Sequence, residues 1–147
     1  MYPTVSYEPA MVADLDALVA LRIEAMRESL ERIGRFDPAR ARERFASGFE
    51  PACTRHILLD EQRVGFVVVK QQADGLLLDH LYLRPIAQGQ GIGGHVLREV
   101  LAEADARQLP LHVGALRESA ANAFYTRHGF QKVGETEWDL YYRREPA

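Results

Sequence analysis

The residues whose types and spacing best suit chemistry form one glycine-rich stretch, Gln88-Gly89-Gln90-Gly91-Ile92-Gly93-Gly94. Hydrophobic spacing places it between a strand and a helix. Glycines let the backbone approach a ligand closely, and the free N–H groups and dipole of a helix start favour a phosphate or pyrophosphate. The alternative is a glycine-rich turn that binds nothing. Such a plain turn would not require the folding-entropy cost of four glycines among residues 89–94.

This stretch fits the dinucleotide-binding fingerprint when it is written Gly89-x-Gly91-x-x-Gly94, and Glu118 lies near the end of the next strand, where a ribose-binding acid would lie. However, residues 84–88 separate the preceding strand from the first glycine. The 29 residues from 119 to 147 are also too few for the usual second half of that fold. The P-loop sequence Gly-Lys-Ser/Thr is absent, which excludes P-loop phosphoryl transfer.

A second interpretation of the same stretch is the pattern Gln88-x-x-Gly91-x-Gly93. This pattern resembles the pyrophosphate-binding motif of the GNAT superfamily of N-acetyltransferases, which bind acetyl-coenzyme A. Pro85 fits that family's layout of strand, proline, loop and helix. The later stretch from Asn122 to Phe130, Asn-Ala-Phe-Tyr-Thr-Arg-His-Gly-Phe, looks like another motif of the family. The two motifs occur in the family's order and separation. The order of strands and helices predicted below also matches the family, so the resemblance covers nearly the whole chain.

The resemblance implies acetyl-CoA as co-substrate. Its pantetheine arm is expected to pair with the backbone around Leu81 and Leu83, and its pyrophosphate to bind the N–H groups of Gly89–Gly94. The expected cofactor-binding residues are Leu81, Leu83, Gln88, Gly89, Gln90, Gly91, Ile92, Gly93, Gly94, Asn122 and Tyr125.

Two side chains are candidates for proton transfer. Tyr125 can protonate the thiolate that leaves when acetyl moves to an amine, and Asn122 lies one helical turn earlier on the same face. The alternative for Tyr125 is a core aromatic residue. Asp79 is the candidate base, because a carboxylate within an apolar strand is costly unless it is paired or functional. Its alternative is an ion pair with a neighbouring strand, and His80 can replace it as the base if the strand has a bulge.

The residues expected to bind the acceptor amine lie in less diagnostic segments. They are Arg22, Met26, His80 and Trp138. Arg22 falls inside the apolar stripe of the first long helix, where it can meet an acidic group of the acceptor or extend from the edge of the stripe into water. Trp138 is expected to form an aromatic wall or part of the core.

Hydrophobic periodicity and turn residues predict the order β-α-α-β-β-β-α-β-α-β-β. Asp14 and Ser119 are the predicted caps of the first and last helices. We therefore expect an α/β (α+β) fold with a mixed, mostly antiparallel twisted sheet of about seven strands and helices on both faces. The predicted elements are Pro3–Glu8, Asp14–Ile33, Ala39–Ala46, Arg55–Leu59, Val64–Lys70, Leu76–Leu83, Gly91–Arg107, Leu111–Leu116, Ser119–His128, Phe130–Thr136 and Trp138–Arg144.

Composition restricts the remaining possibilities. A length of 147 residues favours a single domain over 1–147, and the resemblance implies that it is an N-acetyltransferase domain. A net charge of −3 gives no drive toward nucleic acid or anionic membrane. No apolar run approaches the roughly 20 residues that span a bilayer. Cys53 is the single cysteine, and the histidines lie on separate elements, so we expect no disulfide and no metal. The N-terminus has no signal-peptide pattern, so we expect a cytoplasmic protein.

These observations together predict acetyl transfer from acetyl-CoA to a primary amine of a small molecule or peptide. Direct attack in a ternary complex is favoured, because Cys53 lies far from the motifs in sequence and nothing marks it as an acyl carrier. The alternative is a non-catalytic CoA-sensing or interaction module with the same fold, and a dinucleotide-dependent reductase is a more distant one. A homodimer is compatible with the resemblance.

Overall fold

Seven β-strands and four α-helices make up the described part of the chain, residues 4–147 of a computed structural model. Their order is the predicted one. The helices are α1 (Leu15–Arg32), α2 (Pro38–Ser47), α3 (Ile92–Ala106) and α4 (Ala121–Arg127). The strands are β1 (Val5–Pro9), β2 (Thr54–Leu59), β3 (Gln62–Gln72), β4 (Gly75–Leu83), β5 (Leu111–Leu116), β6 (Gln131–Glu135) and β7 (Asp139–Arg144). Pro3, the predicted start of the first strand, lies outside the described residues.

The strands form one mixed sheet in the order β1-β2-β3-β4-β5-β7-β6, which confirms the predicted fold class. β4 is the middle strand. It pairs with β5 in parallel, joining Leu76–Leu78 to Leu111–Val113. The pairs β1–β2, β2–β3, β5–β7 and β6–β7 are antiparallel. Parallel neighbours need a crossover, and α3 supplies it here.

Two units emerge from the internal contacts of the chain. The first contains the residues up to Val68 together with His80–Gly93, and its core is formed by apolar side chains of α1, α2 and β3. The second contains Val69–Asp79 and Gly94–Ala147. Its buried side chains come from β4, α3, β5, α4 and β7.

Periodicity predicts burial well in α3 and less well in α1. All six residues of the predicted α3 stripe are buried: Ile92, Val96, Leu97, Val100, Leu101 and Ala104. On α1 only Leu18 and Val19 are fully buried, while Met26 and Leu30 are partly exposed. Helix α1 therefore presents the C-terminal part of its apolar stripe partly to solvent.

The predicted cap at Asp14 is wrong. The Asp14 backbone is already helical, with φ −83°, because a 3₁₀ turn over Val12–Asp14 precedes α1, and its side chain makes no capping bond to the helix. Instead Asp14 Oδ2 accepts hydrogen bonds from the backbone N–H of Met11 at 2.8 Å and from Nε2 of His56 at 3.0 Å. The carboxylate joins α1 to the sheet and leaves the helix end uncapped.

The predicted cap at Ser119 is also wrong. Helix α4 begins at Ala121 behind Ala120, which has no side-chain cap. It is the backbone carbonyl of Ser119 that accepts from the Asn122 N–H, at 3.3 Å, and from Asn122 Nδ2, at 3.0 Å. The Asn122 side chain therefore contributes to the start of α4 in place of a serine hydroxyl. Gly129 adopts φ 88° beyond the helix end, as predicted.

Gly65 on β3 provides a test of the packing between β3 and β4. A Cβ at this position would collide with the carbonyl oxygen of Tyr82 and stand 2.7 Å from Cδ2 of Leu83. We expect Gly65→Ala to lower the free energy of unfolding by about 1–3 kcal/mol, since backbone atoms cannot move aside cheaply. Gly134→Ala on β6 is the matched control, because nothing lies within 4 Å of its Cβ position. Urea unfolding that gives equal stability changes for the two variants would contradict this packing.

Candidate functional site

A short 3₁₀ turn over Pro85–Ala87 positions the glycine-rich loop in the first unit. The Arg84 N–H donates to the Val64 carbonyl at 2.8 Å and so attaches the start of the loop to β3. The Ala87 N–H then donates to the Arg84 carbonyl at 2.9 Å. The proline suits the first position of such a turn, because it has no N–H to leave unpaired.

Gly89 and Gly91 are in the left-handed region, with φ 77° and 82°. Nothing lies within 4 Å of the Cβ position at either residue, so glycine is required there by the backbone conformation and not by crowding. Within residues 4–147 the N–H groups of these two glycines have no backbone acceptor. Open space, unpaired N–H groups and the start of α3 together suit an anionic ligand.

Two glutamines brace this loop from within, which sequence reasoning did not anticipate. Gln88 Nε2 donates to the Leu83 carbonyl at 3.0 Å, and Gln90 Nε2 donates to the Ile86 carbonyl at 2.9 Å. The Leu83 carbonyl is one of the groups that the family resemblance assigns to pantetheine. A carbonyl has two lone pairs, so it can still accept a second hydrogen bond.

His80 lies in an aromatic cluster of the first unit. Its ring centroid is 5.1 Å from that of Phe45, 6.1 Å from that of Phe66 and 5.7 Å from that of Tyr82. The guanidinium carbon of Arg22 lies 5.8 Å from the centroid of the same Tyr82 ring. Two of the predicted acceptor residues, Arg22 and His80, thus both contact Tyr82. Met26 is partly buried one turn further along α1.

Asn122 and Tyr125 share one face of α4 in the second unit. Tyr125 is 7% exposed, and its ring packs against Phe124, Phe130 and Tyr142. Asn122 Oδ1 accepts from the Tyr142 hydroxyl at 2.8 Å, and Asn122 Nδ2 donates to the Leu116 carbonyl at 2.9 Å. The amide of Asn122 therefore ties α4 to β5 and β7.

Asp79 forms the ion pair that is the structural alternative to its role as a base. Its Oδ2 lies 3.2 Å from Lys70 Nζ on β3, and both residues are in the second unit. Both side chains retain some exposure, with 32% for Asp79 and 21% for Lys70.

Trp138 precedes β7 and is partly buried, and its carbonyl accepts a hydrogen bond from the Arg117 N–H at 2.8 Å.

An ionic network in the first unit escaped sequence reasoning, because its members are far apart in the chain. The Asp14 carboxylate contacts both His56, which is only 3% exposed, and Arg63, whose Nη1 lies 3.5 Å from Asp14 Oδ1. Arg63 also pairs with Glu8. The hydrogen bond from His56, followed by that from the Met11 N–H, holds the pKa of Asp14 below its usual 3.8. The Glu8 carboxylate raises the pKa of Arg63.

Residues 4–147 contain no group of three or more His, Cys, Asp or Glu side chains arranged to hold a metal ion. None of their helices is long and apolar enough to cross a membrane.

The fold is shared with solved acetyltransferases. PaiA N-acetyltransferase from Thermoplasma acidophilum, solved in complex with coenzyme A, aligns with a TM-score of 0.77 and 16% identity over 97% of this chain and 99% of that one. An acetyltransferase from Thermus thermophilus gives 0.73 and 20% over 97% of both chains. The ribosomal-protein-S18-alanine N-acetyltransferase from Escherichia coli gives 0.70 and 17% over 98% of this chain and 95% of that one.

The sequence itself defines the family. The profile of the acetyltransferase (GNAT) domain matches residues 53–132, which is more than half of the chain and includes both motifs, that of the glycine loop and that of α4. The chain therefore belongs to the GNAT acetyltransferase family, as its motifs predicted. Among curated proteins no sequence matches.

The Asp14 network gives a prediction about pH. Because folding lowers the pKa of Asp14, its contribution to stability is present above the unfolded pKa near 3.8 and is lost as the pH falls through the lower folded value. We expect Asp14→Asn to lower the free energy of unfolding at pH 7, with the gap to the wild type closing as the pH is taken below about 4. Asp16→Asn removes a carboxylate that is 82% exposed and controls for charge. Urea unfolding across pH checks this, and a gap that is constant with pH is incompatible with it.

Proposed function

We propose that the protein transfers the acetyl group of acetyl-CoA to a primary amine of a small molecule or peptide, by direct attack in a ternary complex. The observation that carries the proposal is the loop with left-handed Gly89 and Gly91 at the start of α3, in a chain of the GNAT family. Residues 1–147 act as a single N-acetyltransferase domain in this proposal. The cytoplasm remains the proposed compartment, and a homodimer the proposed assembly, on sequence grounds alone.

In the proposal, acetyl-CoA is held mainly by backbone groups. The N–H groups of Gly89–Gly94 bind the pyrophosphate, and the backbone of Leu81 and Leu83 pairs with the pantetheine amides. Gln88, Gln90 and Ile92 support the loop. The family resemblance also assigns Asn122 and Tyr125 of α4 to the cofactor. The unpaired N–H groups of Gly89 and Gly91 support this assignment. So does the coenzyme A in the structure of the Thermoplasma acidophilum protein.

The reaction moves one acetyl group and one net proton. The amine nitrogen attacks the thioester carbonyl, so a C–N bond forms and the C–S bond breaks. The amine arrives protonated near neutral pH and must lose two protons, one before attack and one as the C–N bond forms. The departing sulfur gains one proton, so one net proton is released. We assign proton donation to the Tyr125 hydroxyl and proton acceptance to Asp79, directly or through water. His80 is the alternative base.

The acceptor is assigned to Arg22, Met26, His80 and Trp138. Support for this group comes from the first unit, where Arg22 and His80 both lie against Tyr82, the residue between Leu81 and Leu83. Because that backbone is assigned to pantetheine, side chains around Tyr82 suit the recognition of the second substrate.

Tyr125→Phe tests the proposed acid. Acetyl-CoA is expected to raise the melting temperature of the wild type and of this variant equally, since the ring and its packing are retained. Thiol release with an accepted amine is expected to fall by about 10²- to 10⁴-fold in kcat, the usual contribution of acid–base catalysis. Tyr141→Phe, at a tyrosine that is 40% exposed, is the control.

Other outcomes of the same measurements have defined meanings. If Tyr125→Phe keeps the wild-type kcat while chemistry limits the rate, then Tyr125 is a core residue. If acetyl-CoA stabilises the wild type but no amine in a broad panel releases thiol, the protein is a CoA-sensing module. Stabilisation by NADH and not by acetyl-CoA would favour a reductase.

Asp79→Asn and Lys70→Met separate a base from an ion pair. Both variants remove the 3.2 Å pair, so both are expected to lower the melting temperature. If Asp79 accepts the amine proton, only Asp79→Asn lowers kcat/KM and moves the rising limb of the pH profile to higher pH, because without that base the reaction uses only the amine that is already neutral in solution. Equal effects of the two variants on kcat/KM, with the limb unmoved, would make Asp79 structural and leave His80 or a water as the base.

A further inference from the structure

Arg22 is a cation on α1 that has no carboxylate partner among residues 4–147. Other arginines of this helix are paired with acids one turn away, Arg27 with Glu31 at 2.8 Å and Arg32 with Glu28 at 3.2 Å. Arg22 makes no such pair. The side chain is partly buried, and its contact with a charged or aromatic group is the Tyr82 ring.

The Nε atom of Arg22 makes this lack of a partner costly. It is shielded from solvent and has no hydrogen-bond acceptor in the described part of the chain. Buried polar groups in proteins are almost always hydrogen-bonded, and each exception calls for an explanation. A ligand that accepts this hydrogen bond is one such explanation.

The surroundings of Arg22 select the kind of ligand. A guanidinium offers N–H donors in a planar fork that matches a carboxylate, and the side-on form of that pairing uses Nε–H together with one Nη–H. The nearest acid in sequence, Glu24, is already opposed by Arg84 at 3.8 Å. The Tyr82 ring packs against His80 and Phe66, and both of those rings pack against Phe45. Such an apolar setting strengthens a charge-assisted hydrogen bond.

We propose that Arg22 binds a carboxylate of the acceptor, so that the preferred substrates are primary amines that also carry a carboxylate. This rests on the proposed function, because it places the acceptor beside Arg22. The amine reacts, while the carboxylate pairs with the guanidinium and fixes the orientation of the substrate. Arg22 is in this sense a specificity-determining residue and takes no part in proton transfer.

A binding experiment tests the inference without any turnover. Isovalerate has a carboxylate and a small apolar body but no amine. Titration of the wild type with millimolar isovalerate is expected to shift the Nε–H proton resonance of Arg22, which is assigned by its loss in Arg22→Gln. Arg22→Gln is expected to weaken isovalerate binding at least about tenfold, whereas Arg27→Gln, at an exposed and paired arginine, leaves it unchanged. Binding that is absent in the wild type, or equal in the wild type and Arg22→Gln, overturns the inference.

Kinetics with a matched pair of acceptors gives the second test. Leucine and 3-methylbutylamine differ only by the carboxylate. Arg22→Gln is expected to raise the KM for leucine at least about tenfold with little change in kcat, and to leave the KM for 3-methylbutylamine unaltered, while Arg22→Lys restores part of the affinity. Equal changes for both acceptors overturn the inference and leave acetyl transfer intact. If no amine releases thiol, the proposed acetyl transfer is contradicted. The isovalerate titration then still tests the carboxylate site at Arg22 independently of that activity.

Discussion

The parallel pairing of β4 with β5 is the constraint on which the rest of the structure depends. Parallel neighbours cannot be joined by a tight turn, so the chain must cross over between Leu83 and Leu111. That crossover contains the Pro85–Ala87 turn, the glycine loop and α3. Because α3 must cover the sheet, its apolar stripe is fully buried and its first turn follows directly on the loop. A helix start with unpaired N–H groups beyond the end of the central strand is a consequence of the topology.

Several polar side chains in and around the family motifs form hydrogen bonds to backbone carbonyls, in addition to lying where a ligand is proposed to bind. Gln88 and Gln90 donate to carbonyls of their own loop, and Asn122 links α4 to β5 and to Tyr142. A glycine-rich loop loses much conformational entropy when it is ordered. Side-chain amides that satisfy carbonyls within the loop offset part of that loss. The same residues therefore determine both the shape of the loop and the groups it leaves available.

On α1 and the turn before it, Arg22 is the one charged side chain that has no partner of opposite charge among the described residues. Glu8, Asp14, His56 and Arg63 satisfy one another across β1, β2, β3 and the turn before α1. Glu24 opposes Arg84, and Asp16 contacts Arg42. Arg22 lies on the same helix as Asp16 and Glu24, but no carboxylate among residues 4–147 pairs with it. This guanidinium lies against the Tyr82 ring, and it is the group to which we assign an external anion.

The sequence by itself determined the elements, their order, the fold class and the family. These follow from local patterns: the spacing of apolar residues on α3 and β5, glycines where the backbone turns left-handed, and motifs of fewer than ten residues. Tertiary structure decided which polar groups meet. The partners Asp14 and His56 are 42 residues apart, Asn122 and Tyr142 are 20 apart, and Lys70 reaches Asp79 across a hairpin. Local propensity favoured Asp14 as a helix cap, but in the structure its carboxylate accepts a hydrogen bond from the buried His56. An unpaired buried polar group costs more free energy than a helix end that is left to solvent. Contacts of that kind depend on the register of strands and the docking of helices, which no short pattern encodes.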